Sequence, residues 1–112
     1  MEVVTYHTDD EAEPVDHVHL DQLAAGEEMS AQSFRIEPGA IVPEHSHHHE
    51  QVGYIIRGTV TFVADGEAIE VGPGDSYVLD SDEPHSAENR GTEEVFGLDI
   101  FSPPRVDPDW AE

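Results

Sequence analysis

Four of the eight histidines in this 112-residue chain fall within His45-Ser46-His47-His48-His49, and Gln51 follows two residues later. Such a run, taken alone, reads as a tag-like or surface stretch. In an extended strand, however, alternate side chains share a face, which puts His45, His47 and Gln51 on one side and His48 on the other. Neutral imidazole is the commonest side chain that binds Zn, Ni, Fe or Mn, and imidazole with a carboxamide makes a donor set of borderline softness suited to those ions. His85 can supply a fourth ligand. The expected centre is therefore one divalent transition-metal ion (Ni, Zn, Fe or Mn) on His45, His47, Gln51 and His85. These four donors are neutral, so the ion keeps its full charge, which suits Lewis-acid work on an anionic oxygen better than oxygen chemistry. His48 and His49 are expected at a loop or rim, and His17 and His19 share a strand face without a spaced third partner.

The elements that must position these groups are strands. From Met29 onward, short β-branched and aromatic segments are separated by Pro38-Gly39, Gly58, Asp65-Gly66, Gly72-Pro73-Gly74-Asp75, Asp82-Glu83-Pro84 and Asn89-Arg90-Gly91. That spacing predicts an all-β sandwich or barrel. Asp65-Gly66, between Val60-Thr61-Phe62-Val63 and Ala68-Ile69-Glu70-Val71, predicts a tight hairpin. Residues 1–28 are acidic and weakly patterned, and are expected as a segment packed on the barrel. Alternation in Val95-Phe96-Gly97-Leu98-Asp99-Ile100-Phe101 puts Gly97, Asp99 and Phe101 on the face opposite Phe96, Leu98 and Ile100. An aspartate turned into a barrel is costly unless paired or used. Pro103-Pro104 cannot continue a central strand, since proline lacks the amide donor.

Size and charge bound the rest. A chain of this length holds one modest core and commonly gains stability by burying surface against a second copy, so a homodimer is expected. The N-terminal residues lack the charged and apolar regions of a secretory signal, and no run of about twenty apolar residues occurs, so the expected location is cytoplasmic. Cysteine is absent, which leaves histidine, carboxylates, amides and arginine for any site chemistry. Against 26 acidic residues stand only Arg35, Arg57, Arg90 and Arg105, and the formal net charge is −22. No cationic face can be assembled for phosphates, so nucleic acid and anionic membranes are excluded as partners. Such self-repulsion destabilises a small domain unless salt screens it, and at about 1 M salt the Debye length falls to ~3 Å. A salt-rich cytoplasm, as in a halophile, is expected.

Gly39, His45-Ser46-His47, Gln51 and Gly58 resemble the first sequence motif of the cupins, with Gln in the usual Glu position. Pro73-Gly74-Asp75, Pro84-His85 and Asn89 are similar to the second motif, and the resemblance spans residues 33–101. It implies a small single-domain jelly-roll β-barrel with the metal inside, the acidic segment over 1–28 and the cupin domain over 29–112. Gly39-Ala40-Ile41-Val42-Pro43, Gly74-Asp75-Ser76-Tyr77-Val78 and the ending Leu98-Asp99-Ile100-Phe101-Ser102-Pro103-Pro104-Arg105 resemble a narrower group, the KdgF-type cupins of pectin and alginate breakdown. Those linearise 4,5-unsaturated uronate monomers to the open keto form. The resemblance implies a small anionic sugar as substrate and Asp99, Phe101 and Arg105 as catalytic residues. Arg105 would grip a carboxylate with its planar donor fork, a job for which Arg35 is the weaker candidate. His48 departs from the group, which often carries Pro there. The rivals are an Fe(II)-dependent dioxygenase and a non-catalytic metal-containing sugar-binding cupin.

Overall fold

The computed structural model describes residues 1–106; the last six residues of the expected 29–112 domain lie outside the described residues. Among the described residues, ten strands follow a short 3₁₀ turn at Thr8–Asp10: β1 (Ala12–Val15), β2 (Val18–Ala25), β3 (Ser30–Ile36), β4 (Ile41–His45), β5 (Glu50–Arg57), β6 (Val60–Ala64), β7 (Glu67–Val71), β8 (Ser76–Leu79), β9 (His85–Glu88) and β10 (Val95–Ser102). They pair antiparallel into a six-stranded sheet, β1-β2-β3-β10-β5-β8, and a four-stranded sheet, β4-β9-β6-β7. The all-β jelly-roll architecture read from the sequence is the one observed. Among the described residues no helix is long and apolar enough to cross a membrane.

The local reasons are those the turn residues supply. Asp65 and Gly66 both adopt positive φ, 52° and 74°, which matches the twist of a two-residue hairpin, and Ala64 pairs with Glu67 across the turn. The acidic N-terminal segment contributes β1 and β2, and β2 pairs with β3 from Val18↔Ile36 through Gln22↔Gln32. Period-2 alternation is clearest in β5 and β10. Gln51, Gly53 and Ile55 face inward from β5, as do Val95, Gly97, Asp99 and Phe101 from β10. Val18, Phe34, Ile36, Ile55, Val60, Ala87 and Val95 join the two inner faces into one core.

Asn89 pins the turn before β10. Its amide donates to the carbonyls of Ile36 (2.9 Å) and Glu93 (2.8 Å), and its Oδ1 accepts from the Gly91 amide (3.0 Å). A fully buried asparagine is thus satisfied, and β10 enters the sheet in the register that aims Asp99 inward.

Candidate metal centre and catalytic pocket

His45 and His47 do not lie on one continuous strand with Gln51. The chain leaves the smaller sheet at His45, crosses over residues 46–49 and enters the larger sheet at Glu50. The parity argument therefore fails over this stretch; the two sheets converge instead. His45 pairs with His85 across β4 and β9, Gln51 faces them from β5, and His47 closes the gap from the connecting loop. That loop is held in place from the other side, where the Asp82 amide donates to the His47 carbonyl (2.7 Å) and the Ser81 hydroxyl to the His48 carbonyl (2.7 Å).

One ligand atom from each of His45, His47 and His85 lies within 4.8 Å of the others. The hydrogen bonds fix which nitrogen that is. Nδ1 donates to a backbone carbonyl in all three: His45 to Pro43 (3.0 Å), His47 to His49 (2.9 Å) and His85 to Glu83 (2.9 Å). The proton is thereby committed to Nδ1 and the Nε2 lone pair is left for an ion. Gln51 Oε1 stands 3.1 Å from His47 Nε2, so the amide oxygen reaches the same point. Burial holds His47 and His85 below the usual imidazole range, His47 further through the nearby Arg105 charge, so both stay neutral as ligands must. These residues fit a divalent transition metal.

Behind the histidines lies the carboxylate. Asp99 is buried, and the Tyr77 hydroxyl donates to its Oδ1. Burial pushes the Asp99 carboxyl up, to about 6, against the hydrogen bonds from Tyr77 and Gln51 and the positive charge of Arg105. Gln51 therefore touches both the histidine cluster and the acid. Phe101 is fully buried beside them, its ring centroid 5.6 Å from that of His47, and the Arg105 guanidinium lies 5.2 Å from the Phe101 ring centre. The Arg105 amide, donating to Ser30 Oγ at 2.8 Å, ties the segment after β10 back to β3.

His45, Gln51, Tyr77, His85, Asp99, Phe101 and Arg105 line one cavity of about 300 Å³. Register gives it a direction. At one end Gln51, Gln32, Asp99, His45, His85 and Arg105 contribute polar groups. Two to four residues along β3, β4 and β9 the lining becomes Phe34, Ile36, Val42 and Ala87, with Leu20 and Val18 of β2 paired to Phe34 and Ile36, and Phe62 of β6 paired to Ala87. The cavity is polar at one end and hydrocarbon at the other.

Other candidates fall elsewhere. Arg35 grips Glu11 (2.7 Å) and Glu94 (2.8 Å) and does not line the cavity. His17 and His19 both contact Glu37 Oε2, at 3.3 and 2.7 Å. His48 is exposed, and the half-buried His49 ring lies 6.0 Å from Phe101, at the rim. Sequence reasoning passed over Tyr77 and Gln32 as members of the site. Strand alternation turns Tyr77 inward, but nothing along the chain shows that Asp99 waits there.

Residues 32–101 match the cupin-domain family, so the chain is a cupin. It is 34% identical over 70 residues to the pectin degradation protein KdgF of Dickeya dadantii (strain 3937), covering 62% of this chain and 63% of that one. It is 34% identical over 67 residues to the H2HPP isomerase of Bacillus subtilis, covering 60% of this chain and 28% of that one. The chain thus spans less than two thirds of either curated relative. Its fold superposes on KdgF from Halomonas sp. with a TM-score of 0.85 and 25% identity, covering 96% and 97% of the two chains.

Proposed function

We propose that this cupin is a metal-dependent enzyme that linearises 4,5-unsaturated uronate monomers to the open keto form. The observation that carries the reading is the convergence of Asp99, Phe101 and Arg105 with His45, His85 and Gln51 on one cavity. The likeness to KdgF proteins over the cupin domain supports the same reading.

His45, His47, His85 and Gln51 would hold the ion, which when bound supplies Lewis-acid polarisation of a substrate oxygen. Arg105 fixes the carboxylate through paired donors, and Phe101 offers its ring to the sugar face. Tyr77 and Gln51 orient the Asp99 carboxyl, which moves the proton. The anomeric hydroxyl gives up its proton, the ring C–O bond breaks with its electron pair on the ring oxygen, and the released enolate takes a proton on carbon 4 to become the ketone. Substrate and product are isomers, so no redox partner is needed, and one general acid–base serves both transfers.

The test is incubation of metal-loaded protein in molar KCl with unsaturated galacturonate. Loss of the conjugated-ene absorbance with gain of the keto form by NMR is expected. An Asp99→Ala variant that kept full activity would remove the assignment.

We further infer a homodimer and a salt-rich cytoplasm. The first is supported by an apolar patch on the outer face of a chain of net charge −22: Val52 lies between Ile100 and Val78 in register, with Tyr54 beside it, all more than a third exposed. Two copies of so acidic a chain repel less through an apolar patch than through a surface dense in carboxylates. The second rests on the net charge itself.

A further inference from the structure

The hydrocarbon end of the cavity, whose walls also belong to the core, carries no group that the uronate reaction uses. Val18, Leu20, Phe34, Ile36, Val42, Phe62 and Ala87 offer no donor or acceptor from their side chains. A hydroxyl pressed against them without a partner costs on the order of 1–3 kcal/mol. The polyhydroxylated carbons of a sugar acid are therefore a poor complement to this half of the pocket, whereas a branched or cyclic hydrocarbon fits it.

The chemistry at the polar end points to the same class. The last step proposed above ketonises an enol beside a carboxylate, and its reverse is removal of a proton from carbon 3 of a 2-oxo acid. We propose that the pocket takes 2-oxo acids with a hydrocarbon tail and catalyses enolisation at carbon 3. The inference rests on the placement of Asp99 and Arg105 given above, and adds the tail site. Arg105 holds the carboxylate, and the tail lies along Val42, Phe34 and Ile36. The Asp99 carboxylate takes a proton from carbon 3, the C–H electron pair becomes the C2=C3 bond, and the oxo oxygen gains the negative charge at the histidine end. Return of a proton from Asp99 restores the ketone, so in D₂O the hydrogen at carbon 3 is replaced by deuterium and nothing is oxidised or reduced.

The experiment uses metal-loaded protein in molar KCl and D₂O, with 4-methyl-2-oxopentanoate as probe and pyruvate as the acid without a tail. Proton NMR should show loss of the carbon 3 signal, with kcat/KM at least about tenfold higher for the branched acid, the discrimination expected when a small apolar group fills a fitted pocket. Asp99→Asn should abolish exchange. Val42→Thr, which places a hydroxyl in the wall, should shrink the preference for the branched acid about tenfold; if its circular dichroism shows misfolding, Ala87→Ser replaces it. A readout independent of turnover is 3,3-dimethyl-2-oxobutanoate, which has no hydrogen at carbon 3. It should raise the melting temperature more than pyruvate does. Equal handling of pyruvate and the branched acid, or no exchange above a His85→Ala control, overturns the proposal. Unsaturated galacturonate run in parallel separates the two readings: its consumption without oxo-acid exchange sinks this proposal alone, exchange without its consumption sinks the uronate reading alone, and neither reaction sinks both.

Discussion

The Tyr77 hydroxyl donates to Asp99 Oδ1 across 2.5 Å, from β8 on one side of β5 to β10 on the other. The strand between them makes this possible at a single position. Gly53 pairs with both Tyr77 and Asp99, and a Cβ there would overlap the Tyr77 ring carbon and hydroxyl and stand 2.6 Å from Asp99 Oδ1. Phe62 supports the tyrosine ring from the opposite sheet at 4.6 Å between centroids.

Gly53→Ala should therefore destabilise, because the overlap outweighs the gain from a less flexible unfolded chain. Overpacking of this kind destabilises by about 1–3 kcal/mol, and here the atoms displaced are those that orient the acid. We expect a lower melting temperature and a fall in kcat larger than the change in KM. Wild-type stability and kcat in the variant would show that the strands open without disturbing Asp99.

Tyr77→Phe keeps the ring against Phe62 and removes the donor from Asp99. A buried acceptor left without its partner costs about 1–3 kcal/mol. Uronate turnover should drop at least tenfold with metal content unchanged, measured by steady-state assay beside elemental analysis.

Metal removal tests the three histidines directly. One divalent ion per chain is expected by elemental analysis, with loss of the ion and of several degrees in melting temperature on chelation. His85→Ala should lower occupancy far below one, because the remaining donors come from β4, the loop and β5 without a partner on β9.

The pH dependence of folding should show at Glu11. Burial pushes its carboxyl up, but the Arg35 guanidinium and the Tyr6 hydroxyl outweigh that and hold it below the usual range. A depressed acid contributes stability that is present above its unfolded pKa, about 4.3, and lost as pH falls through the lower folded value. Glu11→Gln should be less stable at neutral pH and lose less on acidification below about pH 4.3, as read by urea midpoints at each pH. Parallel curves for the two proteins would refute the linkage.

Salt and self-association should move together. With Arg35, Arg57 and Arg90 each bonded to a glutamate, most acidic residues still face like charges. Melting temperature should rise steeply from dilute buffer to molar KCl, and sedimentation should show a dimer that Val52→Asp converts to monomer. A flat melting curve or an unchanged mass would count against each in turn.

The sequence by itself determined the strands and their turns, because period-2 alternation and glycine or aspartate at positive φ are local properties. It also determined which face of β10 carries Asp99 and Phe101, since Val95 to Phe101 alternates without a break at those positions. It named His45, His47, Gln51 and His85 as a group, but the reason it offered, one shared strand face, is not how they meet. Only the tertiary structure brought β4, the 46–49 loop, β5 and β9 to one point, because that meeting depends on how two sheets close on each other. The same closure set Tyr77 against Asp99 through the gap at Gly53 and gave the cavity its hydrocarbon end. Contacts between residues distant along the chain leave no period in it, and these contacts decide what the pocket can hold.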